Sequence, residues 1–259
     1  MTDPLFYAVT DGIGTITINR PEARNALTLA MYDRLLALLA EAAADRSLRA
    51  LIVTGAGGAA FSSGTDIAEF RAFTTAKDAL DYEARLDAVV GALERCPVPT
   101  IAAIAGACTG GGAALAAACD LRIAAANLRF GIPVARTLGN CLSLANTARL
   151  AALIGPARVR DLLLTARLVG AEEARAWGLV GEVLADEAAL AARAEALARG
   201  IAQNAPLTLR ATKEALLRLR GSLAPGAGDD LILMCYMSRD FREGMTAFLE
   251  KRQPHFSGE

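Results

Sequence analysis

Isoleucine and threonine alternate over 14–19 (GTITIN), and Arg20-Pro21 ends the alternation. A period of two in β-branched residues predicts a strand with one face buried. Over 25–44 the period changes. Leu27, Met31, Leu35, Leu38 and Leu39 recur three and four residues apart, which predicts an amphipathic helix with Thr28 or Asn25 at its cap. Next, LRALIVT (48–54) is a short apolar run with the look of a buried strand. PTIAAIAG then reads as a strand, GGAALAAAC as a helix and LRIAA as a strand. Strands alternating with helices predict an α/β domain built from crossover units. From 155 the pattern turns helical: GPARVRDLLLT starts with Pro156 at a first helical position, and AEEARAWG stops at Gly178. LVGEVL (179–184) is a short strand. EAALAARAEALARGIA, PLTLRATKEALLRLR and the stretch through FREGMTAFLEKR predict three helices, with a Gly-Pro loop, GSLAPGAGDD (221–230), before the last.

With 259 residues, 54% of them hydrophobic, the chain is long enough for one large core. A formal net charge of -1 argues against nucleic acid and anionic membrane surfaces as partners. The uncharged window 96–119 has the length of a membrane span, but two prolines and four glycines break it, so a buried strand and helix are expected there. MTDPLFYAVTDG lacks the basic and apolar regions of a secretory leader. Five cysteines (Cys96, Cys108, Cys119, Cys141, Cys235), odd in number and without a CxxC pair, fit a reducing cytoplasm better than disulfides or zinc. His255 is the only histidine and lies four residues from the end, so a catalytic triad and a histidine-held metal are both disfavoured.

Three glycine-rich stretches carry the candidate chemistry. GAGGAA (55–60) matches a dinucleotide-binding pattern in letters, but FSSG follows where a helix should open, and TTAKDALDYE reads as helix where an acidic strand end is needed. A plain loop is the better reading. In FSSGTDI (61–67) a glycine turn leads into IAEFRAF, with Thr65 or Asp66 as cap and free backbone N–H groups able to accept an anion. The triple glycine 110–112, opening the helix AALAAAC, offers a second donor of the same kind. Two glycine-softened helix starts are the parts of an oxyanion hole.

ITINRPEARNALT, LIVTGAGGAAFSSGTDIAEF, PTIAAIAGACTGGGAALAAACDLRIAAANLRFGIP, LTARLVGAEEARAWGLVGEV and FREGMTAFLEKR occur in the order in which the crotonase superfamily of enoyl-CoA hydratases and isomerases carries similar blocks. The resemblance runs from Ile16 to the C-terminus. It implies a spiral of ββα units over 1–195, holding an acyl-CoA site, and a helical region at 196–259 that packs in trimers or hexamers. No separate cofactor is implied, since coenzyme A arrives with the substrate. Carried over by position, the backbone N–H groups of Thr65 and Gly111 would hold the thioester oxygen. Ser63, Gly64, Asp66, Ile67 and Gly110 flank them as substrate contacts. Ala23 and Arg24 match the segment that meets the CoA nucleotide in relatives, although a solvated surface charge explains Arg24 equally well. Lys251 matches a position that reaches a neighbouring subunit's CoA.

The chain departs from this family where proton chemistry is done. Hydratase relatives carry one glutamate after the triple glycine and another after the Phe-Gly-x-Pro turn. Here the first position is Ala114, and the second is Val134 or, with the extra residue placed before it, Ala135. Between Arg95 and Arg160 the only acid is Asp120, which matches a structural position. Hydration by a glutamate pair is therefore not expected. An acid from the segment after Asp66, for example Glu69, Asp81 or Glu83, is the remaining source, and each of these fits an ordinary surface charge better. Arg136, Asn140 and Cys141 are the polar replacements in the altered loop; Arg136 would suit a substrate carboxylate, and with it a decarboxylation. The competing readings are an acyl-CoA-binding protein without turnover and RNA binding. The latter has only Arg210, Lys213, Arg218 and Arg220 on a mixed-charge helix face.

Overall fold

The computed structural model describes residues 3–220 and 229–255, apart from the side chains of Leu219, Arg220 and Leu231. In chain order the elements begin with β1 (Leu5–Thr10), β2 (Ile13–Ile18), α1 (Leu29–Ala44), β3 (Ala50–Gly55) and β4 (Ala60–Ser62). A 3-10 helix (Ile67–Ala72) leads to α2 (Ala76–Glu94), β5 (Thr100–Ile104), β6 (Ala107–Thr109) and α3 (Gly111–Ala118). Then come β7 (Leu121–Ala125), β8 (Arg129–Gly131), α4 (Val134–Thr137), α5 (Leu144–Ile154) and α6 (Pro156–Thr165). β9 (Val169–Gly170), α7 (Ala171–Ala176), β10 (Glu182–Leu184), α8 (Glu187–Ala202), α9 (Pro206–Arg220), α10 (Asp229–Tyr236) and α11 (Arg239–Leu249) complete the described chain.

The strands form a six-stranded sheet, β1-β2-β3-β5-β7-β10, and a four-stranded sheet, β4-β6-β8-β9. From β2 onward the large sheet is parallel, and β4, β6 and β8 pair in parallel in the small one. Each of three successive units places its first strand in the large sheet and its second in the small one before a helix returns. This sends the chain round as a spiral of ββα turns. The alternation over 14–19 does place Ile16 and Ile18 in the core, with Thr15 and Thr17 half-buried. Each buried isoleucine contributes about 2 kcal/mol of apolar transfer.

Thr28 caps α1 by accepting the N–H of Met31 at 3.2 Å. Asn25, the other candidate cap, is instead buried in a left-handed conformation (φ 55) ahead of the helix. The final helix divides into α10 and α11, because Ser238 caps a new start by accepting the N–H of Phe241. Of the Gly-Pro loop at 221–230, residues 221–228 lie outside the described ones and 229–230 open α10. The 96–119 window becomes β5, β6 and α3, and among the described residues no helix is long and apolar enough to cross a membrane.

The main core fills the space between the sheets and helices α1, α2, α3 and α5. A second core lies beneath α8 on the outer face of the large sheet, around Ile52, Ile101, Ala103 and Leu190. Every residue of α3 is buried. Small side chains suit a helix packed on all sides by α2, α5, β4 and β6. Asp120, just after it, accepts hydrogen bonds from the Thr100 N–H and Oγ1 and pairs with Lys213 of α9.

Candidate active site

The segments 20–28, 61–67 and 106–112 meet because backbone groups bind one another and side chains rivet the junction. Asn25 donates to the carbonyls of Ala56 (3.0 Å) and Ala60 (2.6 Å), while its Oδ1 accepts from the Arg20 N–H at 2.8 Å. Ser62 Oγ donates to the Asn25 carbonyl at 2.9 Å and accepts the N–H of Gly64 at 3.2 Å. The Leu27 N–H donates to Gly64 O, and the Asp66 N–H to Leu27 O, both at 2.8 Å. Asp66 caps the 3-10 helix through Ala68 and pairs with Arg20 at 3.2 Å. Thr109 Oγ1 donates to the Ser63 carbonyl at 3.0 Å.

Each member of the triple glycine has its own reason. Gly110 has φ 53 and ψ -123, a conformation closed to residues with a side chain. A Cβ on Gly111 would lie 2.4 Å from the Tyr32 hydroxyl oxygen, and one on Gly112 would lie 2.4 Å from the Ser62 carbonyl. Gly64, at φ 96, faces them: its Cβ would sit 3.0 Å from the Gly111 nitrogen. The backbones of Gly64-Thr65 and Gly110-Gly111 thus come together across a gap that admits no side chain. Among the described residues, no hydrogen bond engages the N–H of Thr65 or of Gly111.

Side chains close over this point as a chain of hydroxyls. Thr65 Oγ1 lies 2.9 Å from the Tyr32 hydroxyl and 2.6 Å from that of Tyr82. Burial pushes both tyrosine pKa values up, so both stay neutral. Phe70 packs edge-on against Tyr82 at 5.0 Å and against Phe241 at 5.8 Å, walling the hydroxyls with aromatic surface. A cavity of about 420 Å3 lies elsewhere, under α8 on the outer face of the large sheet, and is lined by Thr15, Ile52, Thr54, Ala103, Leu190 and Arg199.

The structure gathers Ser63, Gly64, Thr65, Asp66, Ile67, Gly110 and Gly111 into one neighbourhood. Arg24 joins through its backbone, whose carbonyl accepts the Ser63 N–H at 3.0 Å; its side chain is exposed, and Ala23 beside it is half-buried. Arg136 is exposed on α4, and Lys251 is exposed in the turn after α11. Ala114 is buried within α3, Val134 is half-buried and Ala135 is exposed. Of the spare acids, Asp81 is exposed and pairs with Lys77, and Glu69 sits half-exposed in the 3-10 helix. Glu83 corrects the surface-charge expectation, because it is only 7% exposed. Its helix turns it inward, between Ala79 and Leu86.

Glu83 Oε1 accepts from the Tyr236 hydroxyl at 2.7 Å, and that oxygen accepts from Asn140 Nδ2 at 2.9 Å. Burial raises the Glu83 pKa to about 8, against the opposing effect of the Tyr236 bond. Cys141 of the same loop faces Cys235 of α10, and their mutual hydrogen bond raises the pKa of the first and lowers that of the second. Sequence reasoning assigned no role to Tyr32, Tyr82 or Tyr236. The available signal was their rarity, since three of only four tyrosines converge here.

Two sheets joined by repeated ββα turns around an alanine-rich helix define a crotonase fold. An enoyl-CoA hydratase/carnitine racemase from Magnetospirillum magneticum has that fold with a TM-score of 0.81 and 35% identity, covering 100% of this chain and 97% of the other. A methylmalonyl-CoA decarboxylase in complex with 2-nitronate-propionyl-CoA superposes with a TM-score of 0.89 at 28% identity over 100% of both chains. The chain belongs to the enoyl-CoA hydratase/isomerase family, whose sequence profile matches residues 8–259. It is 39% identical over 249 residues to the probable enoyl-CoA hydratase echA8 of Mycobacterium bovis, covering 95% of this chain and 94% of that one. Enoyl-CoA hydratase domain-containing protein 2, mitochondrial, of Bos taurus is 38% identical over 256 residues, covering 96% of this chain and 85% of that protein.

Proposed function

We propose that this chain is an acyl-CoA enzyme that binds the thioester carbonyl oxygen on the N–H groups of Thr65 and Gly111, and stabilises the enolate formed there. One observation carries the reading: two amides without a protein acceptor are held side by side by glycines whose Cβ atoms would collide. In the transition state each donor is worth on the order of 3 kcal/mol in a water-excluded site. Ser63, Gly64, Asp66, Ile67 and Gly110 line the approach, Ala23 and Arg24 meet the CoA nucleotide, and Lys251 reaches the CoA of a neighbouring copy. Residues 196–259 serve assembly into trimers or hexamers, and the chain works in a reducing, cytoplasmic setting, in keeping with its five free thiols. Ala114, with Val134 or Ala135, leaves no glutamate pair for adding water.

Affinity for a saturated acyl-CoA and for the matching S-alkyl-CoA thioether tests the oxyanion reading, because the thioether lacks only the carbonyl oxygen. Two ground-state hydrogen bonds at about 1 kcal/mol each predict a preference for the thioester of roughly 10- to 100-fold. Equal affinities would count against the oxyanion role. Likeness to a methylmalonyl-CoA decarboxylase favours a second reading, in which the C–COO− electron pair enters the enolate and carbon dioxide leaves. Arg136 would then steer the substrate carboxylate from the rim, and carbon dioxide release from a malonyl-type thioester that weakens in Arg136→Ala tests it. Binding across a panel of enoyl-, malonyl- and β-hydroxyacyl-CoA esters without any product would replace both readings with a carrier role.

A further inference from the structure

The glycine–alanine stretch supplies no carboxylate, but a neighbouring helix does. Glu83 sits on the buried face of α2, next to Tyr82, whose hydroxyl is bonded to Thr65. Its Oε1 has the Tyr236 hydroxyl as partner, while Oε2 is buried with none among the described residues. Asn140 donates to the same Tyr236 oxygen, and its own Oδ1 is also buried without a partner among the described residues. Two orphaned polar atoms around one hydroxyl are costly in a folded protein and are accounted for when a ligand or a proton transfer uses them. No ion pair involves Glu83 among the described residues, so pairing does not explain its burial.

We propose that Glu83 is the acid–base group of the site, exchanging the proton on the carbon next to the thioester carbonyl; this rests on the oxyanion reading of Thr65 and Gly111. The ionised carboxylate takes that proton, the C–H electron pair forms the enolate double bond, and the carbonyl π pair moves to the oxygen held by the two N–H groups. Return of the proton to the same carbon gives exchange with solvent. With a β,γ-double bond in the acyl chain, return at the γ-carbon moves the double bond into conjugation. Neither course adds water or needs a second carboxylate.

The titratable groups around Glu83 are Tyr82 and Asp87 on its own helix, Tyr32 on α1, Tyr236 and Cys235 on α10, and Cys141 in the loop after α4. α3, the other helix packed on α2, carries no titratable side chain. Desolvation acts first and Asp87 adds to it, holding the carboxyl neutral until about pH 8. About a tenth of the sites are then ionised at pH 7.

The test follows deuterium exchange into the α-position of butyryl-CoA by NMR between pH 5.5 and 9.5, for the full chain and its Glu83→Gln and Tyr236→Phe variants. Affinities for butyryl-CoA and butyl-CoA are measured alongside. Wild-type exchange should rise with pH to a plateau with an apparent pKa of about 8. Glu83→Gln, whose amide oxygen still accepts from Tyr236, should lose exchange by roughly 100-fold or more while binding both ligands within about threefold of wild type. Tyr236→Phe removes the bond that favours ionisation, so its profile should move to higher pH. Exchange undiminished in Glu83→Gln, or a wild type that prefers the thioester yet exchanges nothing, overturns the assignment. Equal binding of thioester and thioether defeats the oxyanion reading itself, and the Glu83 assignment with it.

Discussion

Glu83 also ties the site to the stability of the fold. An unfolded glutamate titrates near 4.5, whereas this one titrates at about 8 in the folded chain because burial disfavours its charge. Between those values the folded protein keeps a proton that the unfolded chain has released, so raising the pH makes unfolding easier. The contribution is fully present below the unfolded pKa and is lost as pH rises through the folded one. The difference of about 3.5 units, at about 1.4 kcal/mol each, sets the whole effect at about 5 kcal/mol. Integrated over pH, the stability gap between wild type and Glu83→Gln should shift by about 2.5 kcal/mol in favour of the glutamine from pH 5 to pH 7, and by about 1.4 kcal/mol more by pH 9. Any fixed cost of burying the amide moves the whole curve and leaves its slope alone. Urea unfolding of both proteins at one chain concentration, at pH 5, 7 and 9, measures the gap directly, and the fixed concentration removes assembly from the comparison. A gap that stays flat within about 0.5 kcal/mol across that range would refute a raised folded pKa, whatever the variant does to exchange.

Two further substitutions test the backbone junction. Asn25→Ala removes three hydrogen bonds, strands the buried Ala60 carbonyl and puts alanine at φ 55, so urea unfolding should show a loss of about 2–4 kcal/mol; a loss below about 1 kcal/mol would mean the junction does not depend on this side chain. Gly64→Ala forces a Cβ to within 3.0 Å of the Gly111 nitrogen and the Thr109 carbonyl at φ 96, which should cost about 1–3 kcal/mol and abolish the preference for thioester over thioether; a preserved preference would show that the two amides do not act together.

β2 and α1 were legible because burial imprints a period on them, whereas β1 and α5 were not read. Ile16 and Ile18 marked β2, and the leucines of α1 marked its inner face. β4, β6 and β8 left no such mark. Each has three residues, too few to establish a period, and each exists through pairing with the others across intervening helices. Their pairing is nevertheless what carries 61–65 to 109–111. Residue order along the chain could point to Thr65 and Gly111, but the contact between Gly64 and Gly111 is made in three dimensions. The break between α10 and α11 was missed for a similar reason. Apolar residues continue across it, and only the Ser238 cap reveals that a new helix begins.

Glu83 was named among the spare acids and given the wrong surroundings, although the helical period itself placed it inward. Ala79, Tyr82, Leu86, Val89 and Val90 are among the buried residues of α2, at the three- and four-residue spacings of one face, and position 83 falls between them. The neighbouring Asp78, Asp81 and Arg85 made the segment look like a solvated, charged helix, and they do occupy its outer side. A carboxyl set in an apolar stripe with no cation beside it works against the fold at neutral pH, so its presence needs a reason that packing does not provide. The same logic explains the triple glycine and the alanines behind it. Gly110 to Gly112 give up side chains so that backbone and the Tyr32 hydroxyl can approach. Ala113 and Ala114 give up theirs because α3 is enclosed on every side. With α3 inert, the proton transfer we propose falls to α2, where burial raises the pKa of one carboxyl.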